Sequence, residues 1–300
     1  MRRPAPRLTA AVTLLVVALL AVGCASDDGG GQQVSSPSPS PSSAPAVPVQ
    51  INLGDSYSAA AGVPPLVEGS SVLCLRSSRN AAHLLAGARG YRLDDVSCSG
   101  ADTGDLFTAQ YDGVPAQLDA VTADADLVTL MIGGNDSGVY TNAIRACSDV
   151  ADTDPTGSPC QDRHGSQFVD IVDKRTYPAL IAAFRAVRAK APRARVLVIG
   201  YPWILPATGG CRPAVGIATG DVPYLRNLQA VLNDAIERAA GQTGVTYVDM
   251  SGVSDGHDAC APPGRKWVEP QTGATGAAPL HPNEAGQQAI ADQVSATLGG

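Results

Sequence analysis

Short apolar runs alternate with longer segments of helical periodicity along most of this chain. The apolar runs predict five strands, several of them apolar at every position and therefore buried on both faces of a sheet. The predicted strands are Val47–Leu53, Tyr91–Val96, Leu127–Ile132, Arg195–Ile199 and Val245–Val248. The predicted helices are Arg79–Ala88, Gln167–Ala189, Tyr224–Ala240 and Glu284–Leu298. Pro178 lies inside the second of these, which is therefore two helices or one kinked helix. This alternation is typical of the α/β class, with a parallel sheet between layers of helices.

The first 46 residues do not follow this pattern. Residues 1–23 combine a basic start, an apolar run and small residues at the end, which is typical of an export signal. Because Cys24 follows directly, we predict a lipoprotein-type signal peptide, with Cys24 lipidated and attaching the protein to the membrane. An ordinary cleaved signal followed by secretion is the alternative. Residues 24–46 are rich in Ser, Pro and Gly and are predicted to be a disordered linker. The folded domain is therefore expected to span residues 47–300.

Six cysteines lie beyond Cys24, and an even number in an exported chain predicts disulfide bonds. A zinc site is the other reading, but the chain has no C-x-x-C or H-x-x-x-H spacing. Six cysteines allow fifteen connectivities, and sequential pairing is the simplest of them. It would join Cys74–Cys98, Cys147–Cys160 and Cys211–Cys260.

The overall composition narrows the range of partners. The chain is 44% hydrophobic over 300 residues, which is enough for one domain with a full core. Its net charge is −7, and it has no run of basic residues. Nucleic-acid binding is therefore not expected, because contact with phosphates needs clustered Lys and Arg. We expect a monomer.

Four short motifs fall where predicted strands end or where the last helix begins. They are Gly54-Asp55-Ser56-Tyr57-Ser58, residues 97–104, Ile132-Gly133-Gly134-Asn135-Asp136 and Pro279-Leu280-His281-Pro282-Asn283. Each alone is weak evidence, since Asn-Asp also occurs in turns and an asparagine before a helix is a common cap. The carboxyl ends of parallel strands meet at one edge of a sheet, so we expect the motifs to converge there. Together they supply a serine, separate oxyanion donors and a histidine, which is what acyl transfer requires.

These motifs resemble those of the SGNH hydrolases, also called the GDSL esterase/lipase family. The resemblance is closest to the secreted actinobacterial lipase and esterase branch and covers residues 47–298. It is carried by G-D-S-Y, C-S-G-A-x-T-G-D, I-G-G-N-D and H-P-N-x-x-G-Q. The resemblance implies a three-layer α/β/α, flavodoxin-like fold with a central, mostly parallel five-stranded sheet. It also implies the sequential pairing of the six cysteines.

The same resemblance implies a role for each site residue. Ser56 would be the nucleophile and His281 its general base. The oxyanion hole would consist of the Ser56 and Gly100 backbone N–H groups and the Asn135 side chain. An amide suits position 135 because it donates a hydrogen bond where a carboxylate only accepts. The mechanism requires no metal ion and no organic cofactor.

The group that orients His281 is the main departure from the family pattern. Many SGNH enzymes carry an aspartate three residues before the histidine, where this chain has Ala278. We therefore predict a Ser-His dyad, in which the backbone carbonyl of Ala278, or one beside it, accepts a hydrogen bond from His281 Nδ1. Asp255 or Asp258 in the preceding loop is the alternative and would complete a triad.

The remaining histidines are interpreted as structural, whereas two alternatives stay open for the tryptophans. His83 is predicted to face solvent and His164 to lie in a cysteine-containing loop. His257 lies beside the last disulfide and is expected to have a structural role, with a catalytic role in the cleft as the alternative. Trp203 and Trp267 either face the acyl chain or pack in the fold.

The predicted function is that of an exported esterase or lipase acting on acyl esters such as acylglycerols, so its partner is a small-molecule ester or a lipid. Phospholipase A or O-deacetylase activity on cell-wall glycans is the alternative within the same fold. A non-catalytic binding lipoprotein is the alternative from another class. Two cysteine-containing loop regions, residues 149–166 and 206–221, are expected to shape the cleft.

Overall fold

The structure is a computed structural model and describes residues 46–299. The predicted signal peptide, the proposed lipidation site Cys24 and the linker up to residue 45 lie outside the described residues. Within the described part of the chain, no helix has both the length and the apolar character that crossing a membrane requires.

A parallel five-stranded sheet forms the centre of the domain, in the order β2-β1-β3-β4-β5. The strands are β1 (Val49–Gly54), β2 (Arg92–Asp95), β3 (Leu127–Met131), β4 (Arg195–Ile199) and β5 (Thr246–Val248). The predicted sheet is thus confirmed, with small shifts at the strand ends. Every residue of β1 and β3 is buried, as their continuous apolar runs predict. Strand β2 lies at an edge and is only partly buried, because its sequence is Arg-Leu-Asp-Asp.

Helices cover both faces of the sheet, which gives the predicted three layers. Helix α2 packs on α9, and α6 packs on α7. The helices are α1 (Ser56–Ala59), α2 (Ala81–Arg89), α3 (Val139–Val150), α4 (Pro159–His164), α5 (Gln167–Ile171), α6 (Tyr177–Lys190), α7 (Val222–Thr243), α8 (Ser251–Ser254) and α9 (Glu284–Leu298). Short 3₁₀ segments lie at Val72–Cys74, Thr103–Leu106, Gln117–Ala120, Asp136–Gly138, Ala151–Thr153 and Thr219–Asp221.

The long predicted helix over residues 167–189 is interrupted, as its proline indicates. A π-helical segment, Val172–Thr176, separates α5 from α6. Pro178 lies in the first turn of α6, where a missing backbone N–H costs nothing. Helix α9 begins as its sequence predicts, with the Asn283 side chain accepting a hydrogen bond from Gly286 N at 3.1 Å.

Three disulfide bonds join the cysteines in the sequential pairing. Cys147–Cys160 connects α3 to α4, so the first of the two cysteine-containing loop regions is partly helical. Cys74–Cys98 places the 3₁₀ turn at Val72–Cys74 beside the segment that leads into Gly100, and Ser99 N donates to Cys74 O at 3.0 Å.

The strand order fixes where a site can form. In the order 2-1-3-4-5 the chain reverses direction of winding between β1 and β3, and ligands bind outside the carboxyl ends of the strands at that point. Gly54 of β1 pairs with Met131 of β3, so the two strands end level with each other. The residues that follow them are Asp55-Ser56 and Ile132 to Asp136.

Candidate active site

The turn that carries Ser56, residues 54–58 (the nucleophile turn), begins directly at the end of β1. Gly54 has φ +119°, and a Cβ atom there would lie 2.3 Å from Met131 O, so only glycine fits. Asp55 caps α1 by accepting a hydrogen bond from Tyr57 N at 2.9 Å. Ser56 is therefore the first residue of a short helix at the edge of the sheet, and it is 7% exposed.

The His281 ring lies between Ser56 and a backbone carbonyl. Its Nε2 atom is 2.7 Å from Ser56 Oγ, and its Nδ1 atom is 2.8 Å from Pro279 O. A carbonyl oxygen only accepts, so Nδ1 carries the proton and Nε2 is left as an acceptor. Nε2 is then in position to take the proton of the Ser56 hydroxyl.

The carbonyl beside the His281 ring belongs to Pro279, the neighbour of Ala278, and so falls within the expectation of Ala278 or a carbonyl beside it. Ala278 O accepts instead from His281 N at 3.1 Å, closing a four-residue turn. The two aspartates proposed as alternatives are engaged elsewhere. Asp255 pairs with Arg226 at 2.9 Å, and Asp258 accepts from Cys260 N at 2.9 Å.

Gly100 and Asn135 line the same cavity as Ser56 and His281. The turn that carries Asn135, residues 132–136 (the oxyanion turn), follows β3. Asn135 Nδ2 donates to Ala101 O at 3.0 Å, which orients the amide and uses one of its two hydrogens. The sequence-predicted site residues are thus brought together at one edge of the sheet.

Asp136 ties the segment after Gly100 to the oxyanion turn. Its two carboxylate oxygens accept from Thr103 N at 2.9 Å and from Thr103 Oγ1 at 2.8 Å. Burial is the main effect on this carboxyl and raises its pKa to about 6, against the opposing hydrogen bonds from Thr103. Asp55 and Asp136 thus both hold backbone N–H groups of the segments around the site, those of Tyr57 and Thr103.

A cavity of about 560 Å³ opens beside Ser56. One part of its wall is apolar and aromatic, formed by Tyr140, Ile144, Tyr201, Ile204, Leu232 and Leu280. Its polar part is formed by Thr141, Arg145, Ser148, Asp149, Gln229 and Gln271. A mainly apolar cleft with a few polar groups is typical of a site for a small organic ligand. Among residues 46–299, no group of three His, Cys, Asp or Glu side chains is placed to hold a metal ion.

Burial also affects the titration of His281. It lowers the pKa of His281 below the ordinary value of 6.5, and the hydrogen bond to Pro279 O opposes this in part. The neutral imidazole, which is the form that accepts a proton, is therefore the dominant form at neutral pH.

Comparisons with known proteins identify the family of this chain. The model of the GDSL-like lipase/acylhydrolase family matches residues 53–289. The chain belongs to this family. It is therefore a carboxylic-ester hydrolase. Lipase 2 of Streptomyces coelicolor is 47% identical over 304 aligned residues, which cover 100% of this chain and 99% of that protein.

Two solved structures resemble this GDSL-family chain closely in fold. Phospholipase A1 from Streptomyces albidoflavus NA297 has a TM-score of 0.71 and 28% identity, over 84% of this chain and 99% of that one. The extracellular lipase from Streptomyces rimosus has a TM-score of 0.70 and 26% identity, over 83% and 99% of the two chains.

The remaining histidines of this GDSL-family chain lie away from the reacting atoms. His83, predicted to face solvent, is partly exposed: its side chain is 28% exposed, and Nδ1 lies 3.0 Å from Asn80 Oδ1 and 3.5 Å from Asp95. His164 Nδ1 lies 3.0 Å from the Gln167 amide oxygen. His257 does not line the cavity.

Both tryptophans pack in the fold and do not line the cavity either. The Trp267 ring stacks on the His257 ring with 4.0 Å between centroids, and His257 Nδ1 lies 2.5 Å from Arg265 O. The Arg226 guanidinium lies 3.9 Å from the centre of the Trp203 ring.

Three side chains of the site were not singled out from the sequence. The side-chain amide of Gln117 makes two hydrogen bonds to the backbone of Gly54. Its Oε1 accepts from Gly54 N at 2.7 Å, and its Nε2 donates to Gly54 O at 3.0 Å. The Tyr57 hydroxyl donates to Leu280 O at 2.6 Å, next to His281. Tyr201 lies two residues beyond the end of β4, and that position near a strand end was the only available signal for it.

Proposed function

We propose that this chain is an exported esterase or lipase that hydrolyses acyl esters such as acylglycerols through a Ser56-His281 dyad. The observation that carries the proposal is the pair of contacts on the His281 ring. Its Nε2 lies 2.7 Å from Ser56 Oγ, and its Nδ1 is held by the Pro279 carbonyl at 2.8 Å. These distances are within the range in which a general base acts on a nucleophile.

In the proposed acylation step, His281 Nε2 takes the hydroxyl proton as Ser56 Oγ attacks the ester carbonyl carbon. The carbonyl oxygen becomes an oxyanion, which the Ser56 and Gly100 N–H groups and the Asn135 amide stabilise. His281 then gives the proton to the departing alkoxide, so the alcohol leaves and an acyl group remains on Ser56.

Deacylation repeats the chemistry with water as the nucleophile. His281 takes a proton from water as its oxygen attacks the acyl carbonyl, and the oxyanion forms in the same hole. Collapse of the intermediate returns the proton to Ser56 Oγ and releases the carboxylic acid. The carbonyl of Pro279 accepts the hydrogen bond from Nδ1–H and so keeps the His281 ring oriented. It is an uncharged group that does not titrate.

The cavity supports an acyl chain longer than acetyl as the substrate group. Its apolar side chains, including Ile144, Ile204 and Leu232, are placed to cover methylene groups. Each buried methylene contributes about 0.8 kcal/mol, which corresponds to roughly a fourfold gain in kcat/KM. The gain ends where the chain fills the cavity.

A chain-length series of p-nitrophenyl esters tests this function directly. We expect kcat/KM to rise from acetyl toward medium chains and to be abolished by Ser56→Ala. Ser70→Ala is the matched control, since Ser70 only bonds the Val67 carbonyl outside the cavity. Hydrolysis that survives Ser56→Ala would overturn the proposal, and a strict preference for acetyl would transfer it to deacetylation of glycans.

A phospholipid is the second candidate substrate. Its support is the structural similarity to a phospholipase A1 over 84% of this chain. Release of fatty acid from phosphatidylcholine vesicles, compared with a triglyceride emulsion at equal ester concentration, separates the two. Faster release from the vesicles would favour the phospholipid.

Export is supported by the leader sequence and by the three disulfides, since such bonds persist in oxidising compartments. We propose that Cys24 is the lipidated residue. Expression in a bacterial host should place the wild-type protein in the membrane fraction and Cys24→Ser outside it. Equal partitioning of the two would contradict lipidation and favour simple secretion.

A further inference from the structure

We propose that Tyr201 is a positioning residue that holds the nucleophile turn and the oxyanion turn at a fixed separation through its single hydroxyl group. The inference rests on the proposed function, because it concerns how the oxyanion donors are placed. It assigns a task to a residue that neither of the two turns contains.

The backbone of Tyr201 is fixed from outside the site. Its N–H donates to Asn233 Oδ1 at 2.9 Å, and its carbonyl accepts from Asn233 Nδ2 at 2.9 Å and from Gln229 Nε2 at 3.2 Å. Both of these side chains belong to α7. The Tyr201 side chain therefore projects from a rigid base, and the residue is only 4% exposed.

The hydroxyl of Tyr201 contacts both turns at once. It lies 2.5 Å from Asp55 Oδ2 and 3.0 Å from Gly134 N. A backbone N–H can only donate, so the tyrosine oxygen accepts from Gly134 and its own hydrogen points to Asp55. One group thus donates to the nucleophile turn and accepts from the oxyanion turn.

Each of the two hydrogen bonds of the Tyr201 hydroxyl is made to a residue adjacent to a proposed reacting group: Asp55 precedes Ser56, and Gly134 precedes Asn135. Asp55 uses its other oxygen to bond Tyr57 N at 2.9 Å, which fixes the turn around Ser56. Gly134 directly precedes Asn135, the proposed side-chain donor. The oxyanion hole needs the Ser56 N–H and the Asn135 amide to point at the same atom, so their separation matters.

Two further features fit this arrangement. A Cβ atom on Gly134 would lie 3.2 Å from the Tyr201 hydroxyl oxygen, so the glycine permits the close approach. The Tyr201 ring also packs edge-on against the Tyr57 ring, with 5.1 Å between centroids. Phenylalanine keeps that packing and removes only the bridge, so Tyr201→Phe isolates the hydroxyl.

The first test is the steady-state kinetics of Tyr201→Phe on a p-nitrophenyl ester. Misplacing catalytic groups by about 1 Å costs on the order of 100-fold, so we expect kcat to fall roughly 10- to 100-fold with KM little changed. Tyr224→Phe is the matched control, because it also loses a hydroxyl-to-backbone bond, to Gly165 O at 2.8 Å, but lies outside the cavity. A wild-type kcat for a folded Tyr201→Phe would overturn the inference, while Ser56→Ala separately tests the proposed function.

The second test is a double-mutant cycle between Tyr201 and Asn135, which distinguishes a positioning role from a merely structural one. If the hydroxyl acts by placing Asn135, Tyr201→Phe should add little further loss of kcat in an Asn135→Ala background. Losses of kcat that multiply in full would overturn the positioning role.

Should Tyr201→Phe fail to fold, Gly134→Ala crowds the same hydroxyl and is expected to lower kcat about tenfold with KM retained. Full activity of a folded Gly134→Ala would contradict the inference.

Discussion

The base side of the site is held by backbone groups, whereas the oxyanion side is held by buried carboxylates. On the base side, Pro279 O bonds the His281 ring, and Glu269 N and O pair with His281 O at 3.0 Å and Leu280 N at 3.1 Å. On the oxyanion side, Asp136 bonds Thr103 and Asp55 bonds Tyr201. The two sides meet at Ser56, which contacts His281 Nε2, and at Tyr57, whose hydroxyl donates to Leu280 O.

This difference follows from what each side must do. The base has to be oriented, and an uncharged carbonyl orients Nδ1–H without adding a group that titrates. The proposed oxyanion donors Ser56, Gly100 and Asn135 lie on three separate segments, and each carboxylate has two oxygens, which can bond two positions at once. Asp55 and Asp136 lie near the proposed oxyanion, which also carries negative charge. Hydrogen bonds donated by Tyr57 and Tyr201 to Asp55, and by Thr103 to Asp136, offset the negative charge of these two carboxylates.

The largest expected effect is on the base side. His281→Ala should lower kcat by roughly 10³- to 10⁴-fold, because His281 Nε2, 2.7 Å from Ser56 Oγ, is the proposed acceptor of the hydroxyl proton. Steady-state hydrolysis of a medium-chain p-nitrophenyl ester measures this. Near-normal kcat in a folded His281→Ala variant would show that another base serves Ser56.

On the oxyanion side, Asn135→Ala should have the next largest effect. Removing one oxyanion donor typically costs about 10²- to 10³-fold in kcat, and KM should change little because the bond strengthens only in the transition state. Separate determination of kcat and KM checks the split. A rise in KM with unchanged kcat would assign Asn135 to ground-state binding.

The pH dependence distinguishes the two sides by their titrating groups. Burial lowers the pKa of His281 below 6.5, whereas burial raises the pKa of Asp55 from 3.8 to about 7. As the pH falls, protonation of His281 removes the base, and protonation of Asp55 weakens the charge-assisted hydrogen bond from the Tyr201 hydroxyl, so either should reduce activity. If His281 controls kcat/KM, the acid limb has its midpoint below 6.5, and a midpoint near 7 would assign it to Asp55.

Asp136 is the control for that profile, because burial raises its pKa to about 6. In Asp136→Asn the acid limb should keep the wild-type midpoint, even if the rate at its plateau is lower. A limb that disappears in this variant would show that the oxyanion side controls the pH dependence.

The smallest expected effect concerns the two aspartates of the loop before His281. Loss of a true orienting carboxylate costs about 10⁴-fold in kcat, whereas loss of an exposed ion pair is worth about 1 kcal/mol of stability or less. Asp255→Asn and Asp258→Asn should therefore leave kcat essentially unchanged. The amide at 258 still offers an oxygen to Cys260 N, so the fold is expected to survive. A large loss of kcat in either folded variant would contradict the dyad.

Some features of the fold and of the two sides of the site could be predicted from the sequence, and others could not. The strands and the strand-end motifs were predictable, because apolar runs such as Leu127–Met131 have few ways to be buried. The convergence of Ser56, Asn135 and His281 followed from parallel topology and from the family resemblance. What remained hidden were contacts between distant side chains, such as that of Tyr201 with Asp55, since no local pattern records them.

The carbonyl beside His281 was predicted as that of Ala278 or a neighbour, and in the structure it is Pro279 O that lies 2.8 Å from Nδ1. Pro279 is typical of the second position of a β-turn, which would begin at Ala278 and end at His281. Such a turn uses the Ala278 carbonyl to bond His281 N. Leu280, at the third position, has φ +60°, an uncommon conformation for leucine that the sequence does not reveal. The Pro279 carbonyl is left free to bond the ring.

The central claim is that Ser56 is activated by His281 with a backbone carbonyl and no carboxylate behind it. The most direct measurement is the rate of covalent labelling by a fluorophosphonate, with the modified residue located by peptide mass spectrometry. The label should appear on Ser56, at the wild-type rate in the Asp255→Asn/Asp258→Asn double variant and far more slowly in His281→Ala. Labelling that fails in the double variant while it persists in wild type, or that appears on another residue, would contradict the claim.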